Sequence, residues 1–339
     1  MSQLKLGVVD QSPVRNGGTA ADAVRETLEL ARLTERLGFH RYWLAEHHST
    51  NSFAGAAPEV LVPQVAAATR EMRVGSGGVM LSHYSPLKVA EQFRMLETLF
   101  PGRIDLGVGR APGGDNRATQ ALQYGRGVLG IEHFPQQVAD LIGWVSDSLE
   151  DEHPFRRVRA MPRAATVPEI WLLGSGGSSG VYAAELGCGY SFAQFISGED
   201  GAPLVRAYRE SFRPSAHLAT PQASLGIGVI CAETQEEAER LALSMHLWRF
   251  RIIRGFDRGI PTPEQAIEQF AEVGISPVLF REDTRNVVGD PERVRTELLR
   301  LAERYGVEEV MTVTVTHSFE ARVRSYELLA EVMEMEPRG

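Results

Sequence analysis

The chain has 339 residues, 43% hydrophobic and 23% charged, which is enough apolar material for a large globular core. Acidic residues outnumber basic ones 44 to 35, a net charge of −9 that weighs against nucleic acid or an anionic membrane as partner. Its two cysteines, Cys188 and Cys231, form no CxxC pair and no metal-ligand spacing, and no stretch approaches the ~20 apolar residues of a membrane span, so a soluble cytoplasmic protein is expected.

The first strand is expected over residues 4–9, closed by Asp10-Gln11-Ser12-Pro13. Thr19 then caps a helix, with Asp22 three residues on. Val24, Leu28 and Ala31 mark its apolar face, and Gly38 follows as a left-handed terminator. A second strand over 42–45 completes a strand–helix–strand unit, which favours a parallel sheet. A helix over 58–69 leads to a third strand over 73–81, interrupted by Gly75-Ser76-Gly77-Gly78. Glycines inside a strand weaken it, so they point to close approach of a ligand or another backbone. After a helix over 86–99, a fourth strand over 103–108 runs into Gly109-Arg110-Ala111-Pro112-Gly113-Gly114.

Roughly 55 residues then separate Arg110 from the next strand, more than one crossover helix requires. They include a helix over 134–149 and an arginine-rich extended piece over 156–163. The fifth strand, 168–173, ends in Gly174-Ser175-Gly176-Gly177-Ser178-Ser179-Gly180, and a helix starts at Val181. The sixth and seventh strands are expected over 190–195 and 223–231. A second excursion, 232–305, holds a helix over 236–253, a Gly/Pro-interrupted region over 255–277 and a helix opened by Asp290-Pro291. An eighth strand over 309–315 and a helix over 320–333 close the chain. Eight strands alternating with helices argue for one (β/α)8 TIM barrel over 1–339, with insertions after strands 4 and 7.

In such a fold ligands sit outside the carboxyl ends of the strands. The second strand delivers Glu46-His47-His48 there. Neighbouring strand residues point to opposite faces, so one histidine is read as catalytic and the other as structural. For the same reason the three cannot converge on one metal ion, and no HExxH is present. His47 suits a general acid or base. The turn 174–180 offers free N–H groups, a helix dipole and the hydroxyls of Ser175, Ser178 and Ser179, which is a phosphate site by its physics. Arg110 can pair bidentately with phosphate oxygens, and Gly75 to Gly78 leaves open backbone where a flat ring can lie. No G-x-S-x-G elbow frames the serines.

These pieces, in order, resemble the bacterial luciferase-like, flavin-dependent monooxygenases. The matching segments are Val8-Val9-Asp10-Gln11-Ser12-Pro13, Tyr42-Trp43-Leu44-Ala45-Glu46-His47-His48 and Arg73 to Met80. Further matches are Pro101 to Arg110, the 174–180 turn, and Val287 to Pro291 with Arg324 to Leu329. The single-chain, alkanal-monooxygenase-like members are the nearest in pattern. The resemblance implies FMN at the barrel mouth, with His47 as the catalytic histidine and Arg110 as the phosphate-binding arginine. It places the phosphate loop on Ser175, Gly176, Gly177, Ser178 and Ser179. A non-proline cis peptide at Gly77–Gly78, beside Ser76, would lie under the isoalloxazine. It further implies reduced FMN from a separate NAD(P)H:flavin reductase, O2 as cosubstrate, a flavin C4a-(hydro)peroxide, and transfer of one oxygen atom to an aldehyde or other small organic substrate. Trp248, Phe250 and Phe256 would form the lid and substrate wall, and the helices 58–69 and 86–99 a homodimer face. A deazaflavin-dependent reductase and a non-catalytic flavin-binding protein are the alternatives. Gly109 stands where luciferase carries a reactive cysteine, and Gly176 where it has a phosphate-loop serine, which argues against light emission.

Overall fold

The computed structural model describes residues 4–338 except Pro112 and residues 125–130. Nine parallel strands occur among them: β1 (Lys5–Asp10), β2 (Arg41–Leu44), β3 (Arg73–Met80), β4 (Ile104–Gly109), β5 (Glu169–Gly174), β6 (Gly189–Ala193), β7 (Ala223–Cys231), β8 (Asn286–Gly289) and β9 (Glu309–Val313). β1 through β7 and β9 close into the eight-stranded barrel, because β6 pairs with β7 and β9 bridges β7 to β1. β8 lies on the outer end of β7, with Gly228 opposite Asn286 and Cys231 opposite Gly289. Four residues within the second insertion were too few to read as a strand from pattern alone.

The helices are α1 (Ala20–Arg36), α2 (Pro58–Ala68), α3 (Pro86–Leu99), α4 (Asn116–Leu122), α5 (Phe134–Val145) and α6 (Gly177–Leu186). They continue with α7 (Ala202–Ser211), α8 (Gln235–Ile253), α9 (Pro263–Glu272), α10 (Pro291–Tyr305) and α11 (Phe319–Val332). α4 and α5 fill the insertion after the fourth strand; α8, α9 and β8 fill the one after the seventh. Thr19 and Asp22 form a reciprocal capping box at α1, an arrangement worth about 1 kcal/mol. Gly38 follows with φ +93°, a conformation open to glycine and costly for other residues.

Strand alternation splits the core in two. Val8, Tyr42, Leu44, Val74, Leu106, Leu172 and Leu225 face outward and pack under the helices. Val9, Trp43, Trp171, Ile230, Met311 and Val313 fill the barrel. At the amino-terminal end Arg41 donates to Glu309 at 2.7 Å and to Asp105 at 2.8 Å, and Trp43 Nε1 and Arg73 also donate to Asp105. This buried network closes the barrel floor and leaves the carboxyl-terminal mouth for chemistry. Among the described residues no helix is long and apolar enough to cross a membrane.

Candidate active site at the barrel rim

All barrel strands run parallel, so every sequence-predicted site residue reaches the same rim. His47 follows β2, Ser76, Gly77 and Gly78 lie in β3, Arg110 follows β4, and Ser175 to Ser179 follow β5. These are four consecutive neighbours in the sheet.

β3 and β4 approach so closely that side chains are excluded between them. A Cβ on Gly107 would run into the carbonyl oxygen of Ser76, and one on Gly78 would sit 2.7 Å from the carbonyl oxygen of Gly107. On the neighbouring side a Cβ at Gly77 would meet Trp43 Cβ at 2.7 Å. The Gly77–Gly78 peptide bond is cis, and the pairing of β3 with β4 shifts register between Ser76 and Val79. Ser76 is buried and donates to the carbonyl oxygen of Gly107 at 2.8 Å, so its hydroxyl holds strand to strand.

The two histidines separate by their partners. His48 Nε2 lies 2.6 Å from the buried carboxylate of Glu46, and its backbone N–H donates to the carbonyl oxygen of Gly113 at 2.8 Å. His47 is tied by its backbone to Gly55, while its Nδ1 is sealed from solvent and has no hydrogen-bond partner among the described residues. Burial, with a smaller push from His48, lowers the His47 imidazole to about 4 and keeps it neutral near pH 7. Its ring packs 4.7 Å from Phe53, which stands 5.1 Å from Trp248 of α8. Phe53 joins this wall from a loop that sequence patterning left unassigned. Asp257 anchors the same loop, accepting from Thr50 Oγ1, Asn51 N and Ser52 Oγ. Phe250 turns away instead, into a cluster with Phe270, and Phe256 is exposed; neither joins Phe53 and Trp248.

Arg110 is half-buried, and among the described residues its guanidinium forms no hydrogen bond or ion pair. One strand over, α6 begins at Gly177 behind Gly176, which gives the helix no side-chain cap. Among the described residues nothing lies within 4 Å of a Cβ placed on Gly176, which leaves room beside it. Ser179 is buried, with its hydroxyl over Gly174, while Ser175 and Ser178 are half-buried. An unpaired guanidinium beside uncapped N–H groups and hydroxyls can bind an anion. No group of three or more His, Cys, Asp or Glu side chains among the described residues could hold a metal ion.

A cavity of about 800 Å³ lies apart from this rim, lined by Leu243, His246, Phe280, Asp283, Val287 and Tyr305 among others. α8 separates the two: Leu241, Met245 and Trp248 pack with the barrel-interior residues, while Leu243 and His246 face the cavity. The arginines along it are largely neutralised, Arg304 by Asp200, Arg281 by Glu239 and Arg300 by Glu297. The rim, not this cavity, carries the convergent chemistry.

Residues 4–309 match the family model described as luciferase-like monooxygenase, and the chain belongs to that family of enzymes. It is 38% identical to the N-acetyl-S-alkylcysteine monooxygenase of Bacillus subtilis (strain 168), over 97% of this chain and 98% of that protein. The crystal structure of apo-MsnO8 superposes with a TM-score of 0.90 at 40% identity, covering 99% of this chain and 100% of that one. At 19% identity and a TM-score of 0.70, the oxygenating constituent of 3,6-diketocamphane monooxygenase from Pseudomonas putida, solved with FMN, shares the fold; 98% of each chain is covered.

Proposed function

We propose that the protein is an FMN-dependent monooxygenase that receives reduced FMN from a separate reductase and inserts one oxygen atom of O2 into an aldehyde or another small organic substrate. The observation that carries this reading is the pairing, on adjacent strand ends, of a guanidinium with no partner among the described residues and a helix N-terminus with no side-chain cap among them. That donor set suits a terminal phosphate. From β5 to β2 the rim spans three inter-strand steps, about 14 Å at the usual sheet spacing, a length suited to a phosphate at one end and a ring system at the other. The side-chain-free backbone at Gly77–Gly78 suits a flat ring, and the FMN complex of the diketocamphane enzyme shares this fold.

In this reading Arg110, Ser175, Ser178, Ser179 and the first N–H groups of α6 hold the phosphate. Bound reduced FMN supplies the two electrons that split O2, one oxygen atom going to the substrate and the other to water. Phe53 and Trp248 wall the mouth and exclude bulk water. His47, neutral at working pH, accepts or returns a proton at Nε2, the ring nitrogen opposite the sealed Nδ1. Val60, Met95 and Leu99, exposed on α2 and α3, support a homodimer through those helices. The test is mass spectrometry of products formed from isotopically labelled O2 with chemically reduced FMN and a panel of aldehydes and thioethers. One labelled oxygen per product molecule is expected; flavin oxidation with no labelled product across the panel would contradict the reading.

A further inference from the structure

The carboxylate of Glu46 is fully buried and stands at the junction of three rim elements. Its Oε2 accepts the backbone N–H of Met80 at 3.0 Å, two residues beyond Gly78. Its Oε1 accepts the Tyr84 hydroxyl at 2.7 Å and meets His48 Nε2 at 2.6 Å. The backbone of His48 in turn holds Gly113, in the loop that begins with Arg110. His47 is the next residue in the chain. Burial raises the half-buried Glu59 carboxyl above its usual range, and the nearby Glu46 charge adds a smaller push in the same direction. A carboxylate buried this deeply is costly unless its donors hold it, and Glu46 has three.

We propose that Glu46 is a positioning residue for the flavin site: its one carboxylate sets the spacing between the glycine floor of β3, the arginine loop after β4 and the His47 imidazole. The geometry follows from how strands end. β2 stops at Leu44, so the chain turns freely at Glu46 and sends this side chain back across the end of β3. Strand pairing fixes β2, β3 and β4 only as far as their ladders run, the last pairs being Leu44 with Ser76 and Met80 with Gly109. Beyond Leu44 and Gly109 the rim residues need another tie, and the Glu46 bonds supply it. Loss of the carboxylate would free those segments relative to one another while the barrel below stays closed. Rigid placement by such supporting bonds is what keeps a binding site within a fraction of an ångström of its working geometry.

This inference rests on the FMN reading. The experiment measures the FMN dissociation constant by flavin fluorescence, with flavin-free melting temperatures alongside, for the wild type, Glu46→Ala, Glu46→Gln and Tyr84→Phe. Glu46→Ala is expected to weaken FMN binding at least tenfold. Glu46→Gln, which keeps an acceptor for Met80, should recover most of the affinity. Tyr84→Phe removes one of the three donors that hold the Glu46 carboxylate, from the rim segment just after β3, and should weaken FMN binding by a smaller factor, about threefold. Should Glu46→Ala fail to fold, Glu46→Gln and Tyr84→Phe carry the test: both must weaken FMN binding, each by less than tenfold, and unchanged affinity in both would overturn the proposal. Equal affinities in all variants, with only melting temperatures lowered, would reduce Glu46 to a structural residue and overturn the proposal. A wild type that takes up no FMN would instead overturn the cofactor reading, and the inference with it.

Discussion

At the scale of single residues, the Glu46-His47-His48 stretch shows how three consecutive ionisable side chains take separate duties. Glu46 is buried and saturated with donors, and His48 is fixed by it. His47 alone keeps a ring face toward the aromatic wall at the mouth. Desolvation penalises its charged form, so the imidazole stays neutral until pH falls to about 4. A base of that kind works across the neutral range without titrating. His47→Ala should therefore keep FMN binding within a few-fold and lose oxygenation by about 100-fold or more. In the wild type the part of the pH profile owed to this residue should be flat from pH 8 to 6, where an ordinary imidazole with a pKa of ~6.5 would bend it. Steady-state rates at saturating FMN check both; an undiminished rate in the alanine variant would remove the proton role.

At the scale of elements, β3 carries the most unusual sequence for its position. Its glycines read as weak strand formers, yet it is central in the barrel and pairs on both sides. Close approach of β4 explains them, because the backbone oxygens of Ser76 and Gly107 occupy the space a methyl group would need. Gly107→Ala should lower stability by about 2 kcal/mol or more, since the Cβ would meet backbone rather than a flexible side-chain end. Gly176→Ala, whose Cβ meets nothing within 4 Å among the described residues, should lower the melting temperature by only about 1–2 °C, the cost of a poorer N-cap for α6. Thermal melts of the two variants side by side decide it; equal melting points would contradict the close-packing account. α8 is the other telling element. Its Leu241, Met245 and Trp248 face the mouth and its Leu243 and His246 face a separate cavity, so its apolar pattern runs round the helix and gives no single stripe to read.

At the scale of the whole molecule, a closed parallel barrel brings distant segments to one rim by topology alone. That is why the eight barrel strands, with their apolar runs and their polar or glycine-rich exits, could be read from sequence, and with them the chain positions of His47, Arg110 and the 174–180 turn. β8 could not be: it is four residues long and its support comes from β7. α9 left a legible mark, the capping pair Thr262 and Gln265, but the surrounding glycines and prolines hid it. The donors that meet at Glu46 were illegible, because Met80 and Tyr84 reach it only through the folded arrangement of β2 and β3. The account's central claim is that separate strand ends converge on one phosphate-bearing flavin. The most direct measurement compares dissociation constants for FMN and riboflavin, which differ only in the phosphate, in the wild type and in Arg110→Ala. The account predicts that the wild type prefers FMN by about 100-fold, the scale of two charge-assisted hydrogen bonds, and that Arg110→Ala loses most of that preference. Equal affinity of the wild type for both flavins would contradict it.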